Sequence, residues 1–81
     1  MIIVSQKKYN IINFDNINLI GIDGESKIKA KLGIGDEALL GIYETEARAK
    51  EVLQEIARVY ADLDGYVDNA DGRAIYEMPK E

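Results

Sequence analysis

Apolar residues in the first half of the chain fall into short runs rich in Ile, Leu and Val, a pattern that predicts strands. Polar or glycine-containing stretches separate these runs. We predict five strands before the helix, at Ile2–Ser5, Tyr9–Phe14, Asn18–Ile22, Glu25–Leu32 and Ala38–Glu44. A sixth run, Ala74–Met78, precedes Pro79 and predicts a short last strand, because proline cannot continue a ladder.

The segment after residue 44 has a different period. Apolar side chains recur at spacings of three and four, which predicts one amphipathic helix from about Thr45 to about Leu63. Thr45 is a suitable N-cap, and Glu46 lies favourably against the helix dipole. The predicted apolar stripe is Ala49, Val52, Leu53, Ile56, Val59, Tyr60 and Leu63. Together these elements predict an α+β fold: an antiparallel sheet of about five strands, then one long amphipathic helix and a short C-terminal strand.

Asp23-Gly24, between two predicted strands, is a strong signal for a two-residue type I′ hairpin. With those residues as the loop, Ile22 would pair with Glu25. Alternation then predicts a core face made of Ile17, Leu19, Ile28, Ala30 and Leu32. The opposite face would carry Ile20, Ile22, Lys27, Lys29 and Lys31.

The predicted strands are apolar on both faces, since pairs such as Leu19-Ile20 and Leu39-Leu40 interrupt the alternation expected of a half-solvated sheet. One helix can cover only one face. The other must curl into a small barrel, be covered by the C-terminal segment, or meet another subunit. We expect a homo-oligomer.

Length and composition limit the chemistry. The 81 residues predict a single domain spanning 1–81. The chain contains no Cys and no His, which removes thiolate nucleophiles, disulfides and the commonest general base and metal ligand. We therefore predict no catalytic residues, no metal site and no cofactor. Without a signal-like or membrane-length stretch, the chain is expected in the cytoplasm and off the membrane.

Two motif-like stretches do not change that view. Residues 62–72 resemble a calcium loop in composition, but neither possible frame supplies the first ligand or the bidentate Glu. Residues 33–38 match the residue pattern of a dinucleotide-binding fingerprint, but that motif requires a helix to begin within it, and a strand is predicted here instead.

The best candidate for ligand binding is a lysine row. The net charge is −5, which disfavours general nucleic-acid binding, yet the first 35 residues are mildly basic. Strand alternation places three lysines side by side, and an arginine and a tyrosine could add a planar clamp and a stacking ring for a small anion or nucleotide. These residues are Lys27, Lys29, Lys31, Arg73 and Tyr76. The alternative is that the lysines protect an edge strand from aggregation.

Several segments carry a resemblance: Ile2–Gln6, Ile12–Ile17, Leu40–Glu46, Arg48–Ile56 and Ile75–Pro79. The chain resembles a group of short uncharacterised proteins of Gram-positive bacteria, their prophages and phages. A looser likeness, in size and element order, extends to phage counter-defence proteins, some of which bind a host defence protein while others sequester its nucleotide signal inside an oligomer.

The resemblance implies a non-enzymatic binding protein that takes a host protein or a small nucleotide. If the target is a protein rather than a nucleotide, we expect the contact at the acidic helix face around Glu51 and Glu55. A structural or assembly subunit is a second possibility, and an enzyme or metal protein is the third.

Overall fold

The computed structural model describes residues 1–33, 35–61 and 75–81. Within them, five strands precede one helix and a sixth strand follows it, as predicted. The elements are β1 (Ile2–Val4), β2 (Ile11–Asn13), a 3-10 turn (Phe14–Asn16), β3 (Ile17–Asp23), β4 (Lys27–Leu32), β5 (Asp36–Ile42), α1 (Glu46–Ala61) and β6 (Ile75–Glu77).

The strands form two three-stranded sheets, so the prediction of one sheet of about five strands is wrong. The first sheet has the order β2-β1-β6, with β1 antiparallel to β2 and parallel to β6. The second is the antiparallel sheet β3-β4-β5. The physical reason is that β2 and β6 occupy both edges of the short β1, while the turn at Phe14–Asn16 directs the chain into a separate sheet.

The helix has 16 residues and is therefore shorter than the long helix that the sequence predicts. Thr45 is its N-cap, as expected, because its Oγ1 accepts a hydrogen bond of 3.1 Å from the Arg48 amide. Glu46 and Lys50 form a surface ion pair at 3.1 Å. The predicted end at Leu63 and the start of the last strand at Ala74 lie outside the described residues.

One apolar core joins the helix to both sheets. Across the first sheet, Ile3 pairs with Ile12 on one side and Tyr76 on the other, and all three are buried. The helix contributes four buried side chains, namely Ala49, Val52, Ile56 and Val59. The second sheet adds Ile28, Ala30 and Leu40 to the same cluster. The Phe14 ring stacks on Tyr60 with centroids 4.5 Å apart, next to the end of the helix.

The hairpin between β3 and β4 differs from the predicted one. Asp23 pairs with Lys27, so three residues form the loop, and Gly24 adopts a φ of 69°. Ile22 consequently faces Ile28, a register shifted by three residues from the predicted one. Because an odd shift reverses the faces of a strand, Ile20 packs against the core and Leu19 lies on the opposite side.

Candidate functional site

The side of the β3-β4-β5 sheet that faces away from the core, hereafter the outer face, carries the predicted lysine row. Its three rows of cross-strand neighbours are Leu19–Lys31–Glu37, Gly21–Lys29–Leu39 and Asp23–Lys27–Ile42. The lysines all lie on β4, the middle strand of this sheet. They therefore cannot protect a sheet edge, and the alternative explanation from the sequence is wrong.

Lys29, at the centre of the row, is already paired. Its Nζ lies 2.9 Å from Asp23 Oδ2 and 4.0 Å from Glu37 Oε2. The hydrogen bond from Lys29 is the largest cause of the lowered pKa of Asp23, and the positive charge of Lys29 is the second. The same hydrogen bond is the largest cause of the raised pKa of Lys29. Among the described residues, no carboxylate lies within ion-pair distance of Lys27 or Lys31. Within the described part of the chain, the row therefore has two ammonium groups without an ion-pair partner, on either side of a paired one.

A shallow depression of about 280 Å³ lies beside this pair. It forms above Gly21, where the missing side chain leaves an opening, since a Cβ at that position would meet nothing within 4 Å. Its lining includes Leu19, Lys29, Lys31 and both carboxylates that neutralise Lys29. A small polar group fits this surface, but the carboxylates oppose a phosphate.

The other two residues of the predicted site do not join the lysines. Tyr76 is buried in the first sheet, where its hydroxyl donates a 2.6 Å hydrogen bond to Glu55 Oε1. Burial is the largest cause of its raised pKa, and the bond to Glu55 is the next. Its ring is thus a core element rather than a stacking surface. Arg73 lies outside the described residues.

A second surface, centred on Tyr9, was not predicted. Tyr9 is 84% exposed, and hydrogen bonds to Ser5 hold the turn that carries it. The Lys8 amide donates to Ser5 O at 2.9 Å, and the Asn10 amide donates to Ser5 Oγ at 3.0 Å. Lys8 adopts a left-handed φ of 63°, uncommon outside glycine, and its ammonium group lies 2.7 Å from Glu77. From the sequence, the polar residues before Tyr9 predict a break between strands, and Tyr9 itself is predicted to be the first residue of the next strand.

A groove of about 260 Å³ separates this turn from β5, and we call it the Tyr9 groove. Its walls include Tyr9, Leu39 and Ile42, and the latter two side chains are 42% and 45% exposed. The exposed Lys7 also lines it, and Lys27 is the cross-strand neighbour of Ile42. The groove is therefore apolar inside with lysines at its rim.

Gln6 holds the turn against β5. Its backbone amide donates to Leu40 O at 2.8 Å. Its side-chain amide both accepts from the Ile42 N–H and donates to the Ile42 carbonyl, each at 2.9 Å. One backbone bond and two side-chain bonds of Gln6 thus hold the turn beside β5 and support the groove.

The described residues contain no group of three or more carboxylates arranged to hold a metal ion. Nor do they include a helix with the length and apolar character of a membrane span. No protein-family model, curated protein or solved structure matches this chain.

Proposed function

We propose that this chain is a non-enzymatic binding protein of phage or prophage type, which acts by binding a host protein in a counter-defence role. The observation that carries the proposal is the Tyr9 groove. Three large apolar side chains, Tyr9, Leu39 and Ile42, remain exposed around one groove. Exposed apolar clusters with a polar rim are typical of protein-binding surfaces, and tyrosine is enriched among the residues that dominate binding energy.

The rim favours an acidic partner. Lys7 and Lys27 flank the groove in a chain whose net charge is −5. A partner that inserts one large apolar side chain, with carboxylates on either side of it, would match both features. The bonded turn beneath Tyr9 supports this role, because a preorganised loop loses little entropy on binding. The protein acts in the cytoplasm in this proposal and needs no cofactor.

The test is affinity capture from a Gram-positive host lysate, followed by a binding measurement on the purified target. Tyr9→Ser should weaken binding by about tenfold or more, since truncating such anchors costs at least ~1–2 kcal/mol. The matched control is Ile75→Ser, which removes another exposed apolar side chain (63%) from the first sheet. Equal binding by both variants would contradict the assignment of the Tyr9 groove.

A second candidate is sequestration of a small nucleotide, favoured by Lys27 and Lys31, which have no ion-pair partner among the described residues. A thermal-shift screen of cyclic and linear nucleotides tests it, with Lys31→Ala and Arg73→Ala as the variants. Lys50→Ala is the control, because that lysine lies on the helix. A genuine ligand should lose affinity as salt rises. The absence of any shift would leave the protein-binding role, or an assembly subunit that takes no ligand.

A further inference from the structure

The two edges of the β3-β4-β5 sheet differ in how their backbone groups are hydrogen-bonded. Gln6 covers the β5 edge with hydrogen bonds to Leu40 and Ile42. Among the described residues, no strand pairs with the other edge, β3. β3 is seven residues long, and it contains no lysine, arginine or proline, the residues that usually block unwanted pairing.

The outer face of β3 has a shape that complements itself. Leu19 projects from it and is 58% exposed, while Gly21, two residues further along the same face, leaves the depression described above. Antiparallel pairing of two copies about a two-fold axis through Ile20 would place residue 19 of each copy opposite residue 21 of the other. Each Leu19 would then cover the other copy's Gly21.

We propose that β3 pairs with β3 of a second copy in this register, joining two sheets into one of six strands. The partner is thus this chain itself, and the contact is isologous, as in most homodimers. Backbone hydrogen bonds supply the attraction, and the burial of two Leu19 side chains specifies the register. The inference is independent of the protein-binding role, because the Tyr9 groove lies at the β5 side of the sheet. It places Leu19 of the second copy in the depression beside Lys29 and Lys31, next to the lysines of the nucleotide role.

Sedimentation equilibrium at micromolar concentrations should give a mass of twice the 9.0 kDa of one chain. Gly21→Val adds bulk in the depression, where a Cβ meets nothing within 4 Å inside one copy, and Leu19→Lys introduces a charge. Each should raise the dimer dissociation constant by about tenfold or more. Leu39→Lys is the control on the β5 edge of the same face, and it should leave the dimer intact. A monomeric wild type, or a dimer lost only in Leu39→Lys, would overturn the proposal.

The absence of native cysteine allows a direct test of the register. Ile20→Cys places the two thiols opposite each other, so mild oxidation should produce a covalent dimer. Ile22→Cys lies on the same side of the strand but would face residue 18 of the other copy, and it should crosslink much less. Preferential crosslinking through residue 22, or through Gly21→Cys, would contradict pairing about Ile20.

Discussion

The Tyr43 ring lies directly over Gly41, where a Cβ would come within 2.9 Å of both Tyr43 Cε2 and the Tyr43 hydroxyl oxygen. Gly41 follows the bulge at which β5 gains one residue relative to β4. The ring can approach only because residue 41 has no side chain. Its hydroxyl then donates a 2.9 Å hydrogen bond to the Pro79 carbonyl, which ties the C-terminal segment to β5.

Gly41→Ala should therefore destabilise the fold by about 1–3 kcal/mol, because the added methyl group displaces a buried ring. Urea denaturation followed by circular dichroism measures this change. Gly21→Ala, measured at a concentration at which the chain is monomeric, is the matched control, since a Cβ there meets nothing within 4 Å inside one copy. Equal stability of the two variants would mean that the Tyr43 ring does not pack on Gly41.

The β3-β4 hairpin shows what sequence patterns could and could not predict here. The strand positions followed from the apolar runs, and the helix followed from its period and its Thr45 cap. The faces of β3 did not follow, because Asp23 pairs with Lys27 instead of forming the turn. The ion pair between Asp23 and Lys29 accompanies this register, and no local propensity reports a contact across strands.

The division into two sheets was also beyond the sequence pattern. It depends on long-range strand pairing such as that of Ile3 with Tyr76, which are 73 positions apart. The lysines of the candidate site were correctly placed on one face. Tyr76 was grouped with them as a stacking ring close to Arg73 in the sequence, whereas its strand pairs with β1 and its ring enters the core.

The side-chain amide of Gln6 makes the pair of hydrogen bonds with Ile42 that a neighbouring strand would make at the β5 edge. Gln6→Ala removes both hydrogen bonds to Ile42 and the one to Lys80 O, and it should cost about 1–2 kcal/mol at this partly exposed site. Thermal unfolding provides the measurement. Lys7→Ala, at the next and exposed position, should change the free energy of unfolding little. An unchanged melting temperature in Gln6→Ala would contradict a stabilising role for the amide.

The helix stripe contains side chains of unequal burial. Ile56 is fully buried, whereas Leu53 is only partly so. Ile56→Ala should cost about 2–5 kcal/mol, enough to unfold much of so small a domain. Leu53→Ala should cost clearly less, although the sequence pattern predicts a similar loss for both. Chemical denaturation of the two variants compares them, and equal losses would place Leu53 in the core as well.

The two buried tyrosines predict a loss of stability at high pH. Burial raises the pKa of Tyr43 from its ordinary value of 10.0 to about 12, and the pKa of Tyr76 is raised further by its bond to Glu55. The folded state therefore retains protons that the unfolded chain releases, so this stabilisation is complete below pH 10 and declines as the pH rises toward 12 and above. Denaturation midpoints measured from pH 8 to pH 12 should fall above pH 10. Tyr76→Phe, which cannot ionise, should show a shallower decline than the wild type, although it loses the bond to Glu55. If the variant and the wild type declined in parallel, Tyr76 ionisation would not contribute to the alkaline transition.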